Sequence, residues 1–144
     1  MMKTLTVLTA MAALVMVRTA DASDKPYFRD VKGRIELAGA SLASTGWKLE
    51  QVFTGSLTQG GAGWATLPLV PGREYRIVGR CDDDCGDLDL VLARDQQPLA
   101  RDLDHDERPS LVFHPRSTGD YTVIARMVEC EAPTCRYGLA LFAR

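Results

Sequence analysis

The spacing of apolar positions changes once along this chain. Phe28, Val31, Ile35, Ala38 and Leu42 recur at helical intervals. Ser23-Asp24-Lys25-Pro26 precedes them, and Pro at a first helical position gives up only an N–H that a helix start leaves unpaired anyway. Gly46 suits the stop. The pattern predicts an amphipathic helix over Pro26–Ser44, weakened by Gly33 and Gly39 at up to about 1 kcal/mol each relative to Ala. Its apolar stripe is expected to pack on the rest of the domain. From Trp47 the period falls to two. Strands are expected at Trp47–Phe53, Trp64–Leu69, Glu74–Cys81, Leu88–Ala93, Leu99–Leu103, Leu111–Phe113, Tyr121–Cys130 and Tyr137–Phe142. The stretches between them carry turn residues: Gln59-Gly60-Gly61-Ala62-Gly63, Pro71-Gly72, Asp95-Gln96-Gln97-Pro98, Pro115 and Ser117-Thr118-Gly119-Asp120. Eight or so short strands with turns at such intervals make a mainly β chain, an antiparallel β-sandwich with one N-terminal helix.

The first 22 residues read differently. Lys3 precedes an apolar run, Leu5–Val17, and Ala20-Asp21-Ala22 forms a small-residue cleavage site, so residues 1–22 are expected to be a signal peptide cleaved after Ala22. A span of the bilayer needs about 20 apolar residues, more than this run supplies. The expected organisation is therefore signal peptide 1–22, helix segment 23–46 packed on the domain, and sandwich 47–144, in the periplasm or outside the cell. Removing Lys3, Arg18 and Asp21 with the leader turns 17 basic and 19 acidic residues into 15 and 18. That balance argues against nucleic acid or an anionic membrane as the partner. A protein or polymer ligand is left.

All four cysteines follow the leader. An even number in an exported chain reads as two disulfides, with three possible pairings. Cys81–Cys85 and Cys130–Cys135 are favoured by proximity, although a crossed pairing would close loops worth roughly 4 kcal/mol each in chain entropy against roughly 2 for the local ones. A four-thiolate zinc site is the competing reading, and export disfavours it.

Acidic residues form two groups, Asp82, Asp83, Asp84, Asp87 and Asp89, then Asp102, Asp104, Asp106 and Glu107. Clustered carboxylates repel unless a cation or Arg neutralises them. Ca2+, which takes oxygen ligands, would suit Asp82, Asp84, Asp87, Asp89, Asp102, Asp104 and Asp106. The D-x-D-x-D run is no EF-hand, because Glu107 stands where Gly is needed and Phe113 where the bidentate Glu belongs. In an extended segment Asp102, Asp104 and Asp106 would still share one face. The alternative is a solvated acidic edge that discourages strand pairing. His105 and His114 sit in no hydrolase motif, the glycines of residues 60–63 match no phosphate loop, and paired cysteines supply no nucleophile. No catalytic residue is assigned.

Tyr75-Arg-Ile-Val-Gly79, Asp87-Leu-Asp-Leu-Val-Leu92, Pro115-Arg-Ser-Thr-Gly-Asp-Tyr-Thr-Val123 and Tyr137-Gly-Leu-Ala-Leu141 occur in an order that resembles the bacterial pre-peptidase C-terminal domain, a family related to collagenase collagen-binding domains. The resemblance covers roughly half the chain. It implies a jelly-roll-like sandwich in a stand-alone exported form, with Asp87 and Asp89 at the family's D-x-D-L position. Such domains usually follow a secreted peptidase, and some bind calcium or an insoluble protein. The expected function is a non-catalytic binding or structural module, with Ca2+ at the acidic loops. An envelope protein-partner factor, inhibitor or chaperone-like, is the alternative, and an uncharacterised hydrolase a more distant one.

Overall fold

The computed structural model describes residues 26–144. The signal-peptide reading of residues 1–22 and the side chain of Phe28 lie outside the described part. One helix, α1 (Pro26–Ala43), precedes eight strands: β1 (Lys48–Leu57), β2 (Ala62–Leu69), β3 (Tyr75–Cys81), β4 (Cys85–Arg94), β5 (Gln97–Asp102), β6 (Ser110–Phe113), β7 (Gly119–Cys130) and β8 (Cys135–Ala143). They form two antiparallel four-stranded sheets, β1-β8-β3-β6 and β2-β7-β4-β5. That order is the jelly roll, two sheets whose connections repeatedly cross between them.

Alternation along the strands builds the interior. Leu67 and Leu69 of β2, Leu88, Leu90 and Leu92 of β4, and Val123, Ala125 and Met127 of β7 point inward from one sheet. Tyr75, Ile77, Leu139 and Leu141 meet them from the other. A second apolar layer lies outside the β1-β8-β3-β6 sheet. Val31 and Ile35 of α1 settle on Val78, Ala140 and Phe142, with Ala38 and Leu42 at the margin. The expected stripe from Val31 to Leu42 is thus the helix's buried face. Gly138 of β8 makes this seat possible: a Cβ there would stand 2.5 Å from Ile35 Cδ1 and 2.9 Å from Val31 Cγ1. The helix stops where Gly46 adopts φ +87°, a conformation open to glycine. Trp47 then tucks in beside the same cluster, with the Arg76 and Arg144 guanidinium carbons 5.2 and 4.5 Å from its ring centroid.

Three local expectations change. β1 runs on to Leu57 and β2 starts at Ala62, so the glycine loop is shorter than its composition suggests. The turn after β4 is only Asp95-Gln96, both at positive φ, and Gln97 and Pro98 already belong to β5. Two consecutive positive φ angles match the twist of a tight hairpin, which Asn-Gly would announce more clearly. Third, the chain leaves β5 at Asp102, so residues 103–109 bend instead of extending.

Both disulfides have the local pairing, Cys81–Cys85 and Cys130–Cys135. Each staples a crossing from one sheet to the other: β3 to β4 and β7 to β8. Cys85 pairs with Cys130 in the β4–β7 register, so the two bridges lie together at one end of the sandwich.

Candidate functional site

The stapled end gathers the acidic residues, and the backbone consumes much of their oxygen. Asp82 is 5% exposed; its Oδ2 accepts the Arg136 N–H at 2.8 Å while its own N–H donates to the Arg136 carbonyl at 3.0 Å. Its Oδ1 is buried without a hydrogen-bond partner. Burial pushes its carboxyl above the ordinary range, and the Arg136 amide opposes that. Asp83 is exposed and pairs with Arg34 of α1, whose Nη1 also donates to the Cys81 carbonyl at 2.8 Å. The exposed Asp84 offers its carbonyl to Glu131 N–H at 2.8 Å.

The second acidic group folds back on the first. Asp102 Oδ1 accepts Asp104 N–H at 3.2 Å and its Oδ2 accepts Ser110 N–H at 2.8 Å. Asp106 Oδ1 accepts Arg108 N–H at 2.7 Å, and its carbonyl accepts Leu88 N–H at 2.9 Å, tying the 103–109 loop over β4. The expected shared face of Asp102, Asp104 and Asp106 does not form, because Asp and its neighbours' amides close Asx-type turns more cheaply than they stay extended. Asp89 turns outward beside Arg126; burial first, then Asp87, raises its carboxyl, with Arg126 opposing. Among the described residues, no group of three or more His, Cys, Asp and Glu side chains is arranged to hold a metal ion.

Asp87, 4% exposed, meets His105: its Oδ2 lies 2.9 Å from Nδ1, and His105 Nε2 stands 3.6 Å from Glu129. A buried carboxylate orienting an imidazole is also the first half of a hydrolase relay. Here the other ring nitrogen faces a carboxylate, and all four cysteines are in disulfides. Ser110 Oγ and His114 are engaged separately, by Arg76 Nη1 at 3.3 Å and by Glu74 at 3.4 Å.

At the opposite end a cleft of about 520 Å3 opens between Arg94, Phe113, His114, Arg116, Ser117 and Tyr121. Its central cation is already occupied. Arg94 donates to Ser117 Oγ, to Tyr121 OH at 3.2 Å and to the Thr118 carbonyl at 3.4 Å, with its guanidinium carbon 5.0 Å from the Tyr121 ring centroid. Its role is to fasten the turn into β7.

The two sheets differ most in what covers them. α1 sits on one. The outward face of β2-β7-β4-β5 is bare among the described residues, and a row of facing residues crosses it: Trp64, Ile124, Val91 and Arg101. Trp64 is 75% exposed, Ile124 and Val91 are half-buried, and Arg101 is exposed. The adjacent row adds exposed Arg126 opposite Asp89. Trp64 was open to sequence reasoning: with Leu67 and Leu69 turned inward, a period of two sends Trp64 out. The row across four strands was not, because it depends on register.

Neither a protein-family model nor a curated protein sequence matches the chain. Among solved structures it is similar to the Aeromonas hydrophila periplasmic lysozyme inhibitor of g-type lysozyme, at 14% identity and a TM-score of 0.49, over 69% of this chain and 90% of that one. A likeness at that level carries no role across.

Proposed function

We propose that this chain is an exported, non-catalytic module that binds a folded protein through the bare face of the β2-β7-β4-β5 sheet. The observation that carries the reading is Trp64, a large apolar ring left 75% exposed at one end of the Trp64–Ile124–Val91–Arg101 row. Trp and Arg are the side chains that most often concentrate binding energy at protein interfaces. The matching partner surface has an apolar recess for the indole and carboxylates opposite Arg101 and Arg126. Two buried disulfides suit an oxidising compartment. The acidic end is then a structural device that closes turns and staples. Such a module acts by occupying its partner's surface, as an inhibitor or an adaptor does.

The test uses the oxidised protein, immobilised and exposed to envelope extract of the source organism, followed by titration with the purified captured protein. Trp64→Ala is expected to weaken that binding by tenfold or more, in line with roughly 2 kcal/mol for an aromatic anchor seated in a recess. Arg101→Glu/Arg126→Glu is expected to weaken it comparably and to invert its salt dependence. Leu37→Ala, on the exposed side of α1, serves as the control. Binding that ignores Trp64 and both arginines, or retention on envelope polysaccharide in place of protein, would refute the proposal.

A further inference from the structure

The sandwich has four edge strands, and three of them carry a defence against pairing. β2 contains Pro68, β5 contains Pro98, and β6 has only four residues. Proline removes a ladder donor and shortness removes the template, which are common ways to blunt an edge. β1 has neither. It is ten residues long, its charges Lys48 and Glu50 and its single register shift sit in the first few positions, and Gln51-Val-Phe-Thr-Gly-Ser-Leu57 follows with no charge and no proline. One side of this stretch bonds to β8; among the described residues nothing pairs with the other. Leu49 and Val52 remain 55% and 45% exposed beside it.

We infer that β1 is a self-association edge and that its occupant is the β1 strand of a second copy, antiparallel about a two-fold axis. A closed two-fold uses the same edge on both copies, and two identical edges related that way necessarily run antiparallel. The sequence selects a register centred on Thr54. That register places Phe53 opposite the partner's Gly55 on the inward face, where the Phe53 ring lies beside the Tyr137 ring that already covers Gly55. Val52 then faces Ser56 on the outward face, and Gln51 faces Leu57. Lys48 and Glu50 fall opposite Gly60 and Thr58, so no like charges meet. The product is one eight-stranded sheet with both α1 helices on the same side. The two bare sheets, with their Trp64 rows, stay free, so this inference does not depend on the proposed binding face.

Sedimentation equilibrium of the oxidised protein, purified after export, tests it from micromolar to near-millimolar concentration. Wild type is expected to pass from the monomer mass to twice that mass. Val52→Lys/Ser56→Lys sets lysine against lysine across the axis and is expected to stay monomeric. Val52→Glu/Ser56→Lys uses the same two exposed positions, sets glutamate against lysine, and is expected to dimerise at least as tightly as wild type. Urea unfolding of each variant verifies that the sandwich is intact. A wild type that stays monomeric throughout overturns the inference. So does a lysine–lysine variant that still associates, or a glutamate–lysine variant that does not.

Discussion

The contact between α1 and β8 gives a test of the fold with a defined magnitude. Ile35 is 3% exposed and sits on Gly138, with Val31 beside it at 0%. Ile35→Ala removes three carbons from this seat. Transfer of those groups to water costs about 2.4 kcal/mol at ~0.8 per methylene. A partly relaxed cavity adds to that, so the expected loss is about 3–4 kcal/mol, inside the usual range for such truncations. Gly138→Ala perturbs the same contact in the opposite sense. Its methyl would lie 2.5 Å from Ile35 Cδ1, and overpacking of this kind costs about 1–3 kcal/mol. In the Ile35→Ala background the contact with Ile35 Cδ1 is gone and the 2.9 Å approach to Val31 Cγ1 remains, so the same methyl should cost at least about 1 kcal/mol less than in wild type. The four proteins therefore form a cycle with a coupling of at least about 1 kcal/mol. Urea unfolding followed by tryptophan emission measures it, since Trp47 is buried in the same cluster while Trp64 is in water in both states. A loss below about 1 kcal/mol for Ile35→Ala, or an identical effect of Gly138→Ala in both backgrounds, would refute the seat of the helix on the sheet.

Other outcomes follow from the same structure. Asp82 and Asp89 have raised carboxyl pKa values, Asp82 chiefly through burial, so the folded protein takes up protons there before the unfolded chain does. Each group therefore adds stability as pH falls through its raised folded value, complete below the ordinary aspartate value. Asp82→Asn lacks that gain, and its stability relative to wild type should decline as pH falls from neutral to below the ordinary aspartate value in parallel urea titrations. Glu74 has the opposite sign: its hydrogen bond with Arg144 lowers its pKa, so its contribution is present above the ordinary glutamate value and lost as pH falls through the folded one. Replacing either cysteine pair by Ala should cost about 2 kcal/mol in chain entropy plus lost packing, and intact protein should take up no thiol reagent without reductant. Calorimetric titration with millimolar Ca2+ should be flat, because Asp102 and Asp106 already accept backbone amides; saturable heat with a raised Tm would return the acidic end to the list of binding sites.

Strand count, helix, fold class and local disulfides were all legible along the chain. Each depends on neighbours within a few residues: a period of two or 3.6, Pro71-Gly72, Gly46 after the last helical turn, two cysteines a few positions apart. Side-chain period also decided which faces are inward, as at Leu88, Leu90 and Leu92. What the aspartates do was not legible. Asp102, Asp104 and Asp106 look alike in sequence, yet two of them cap turns with particular amides, and only the bend at 103–109 decides that. Tertiary structure alone set α1 over one sheet, through the missing side chain of Gly138, and so left the other sheet bare among the described residues. It also aligned Trp64, Ile124, Val91 and Arg101 across strands far apart in sequence. Local energies repeat along the chain and can be read from it; a binding face is a product of register and coverage, which exist only once distant strands have paired.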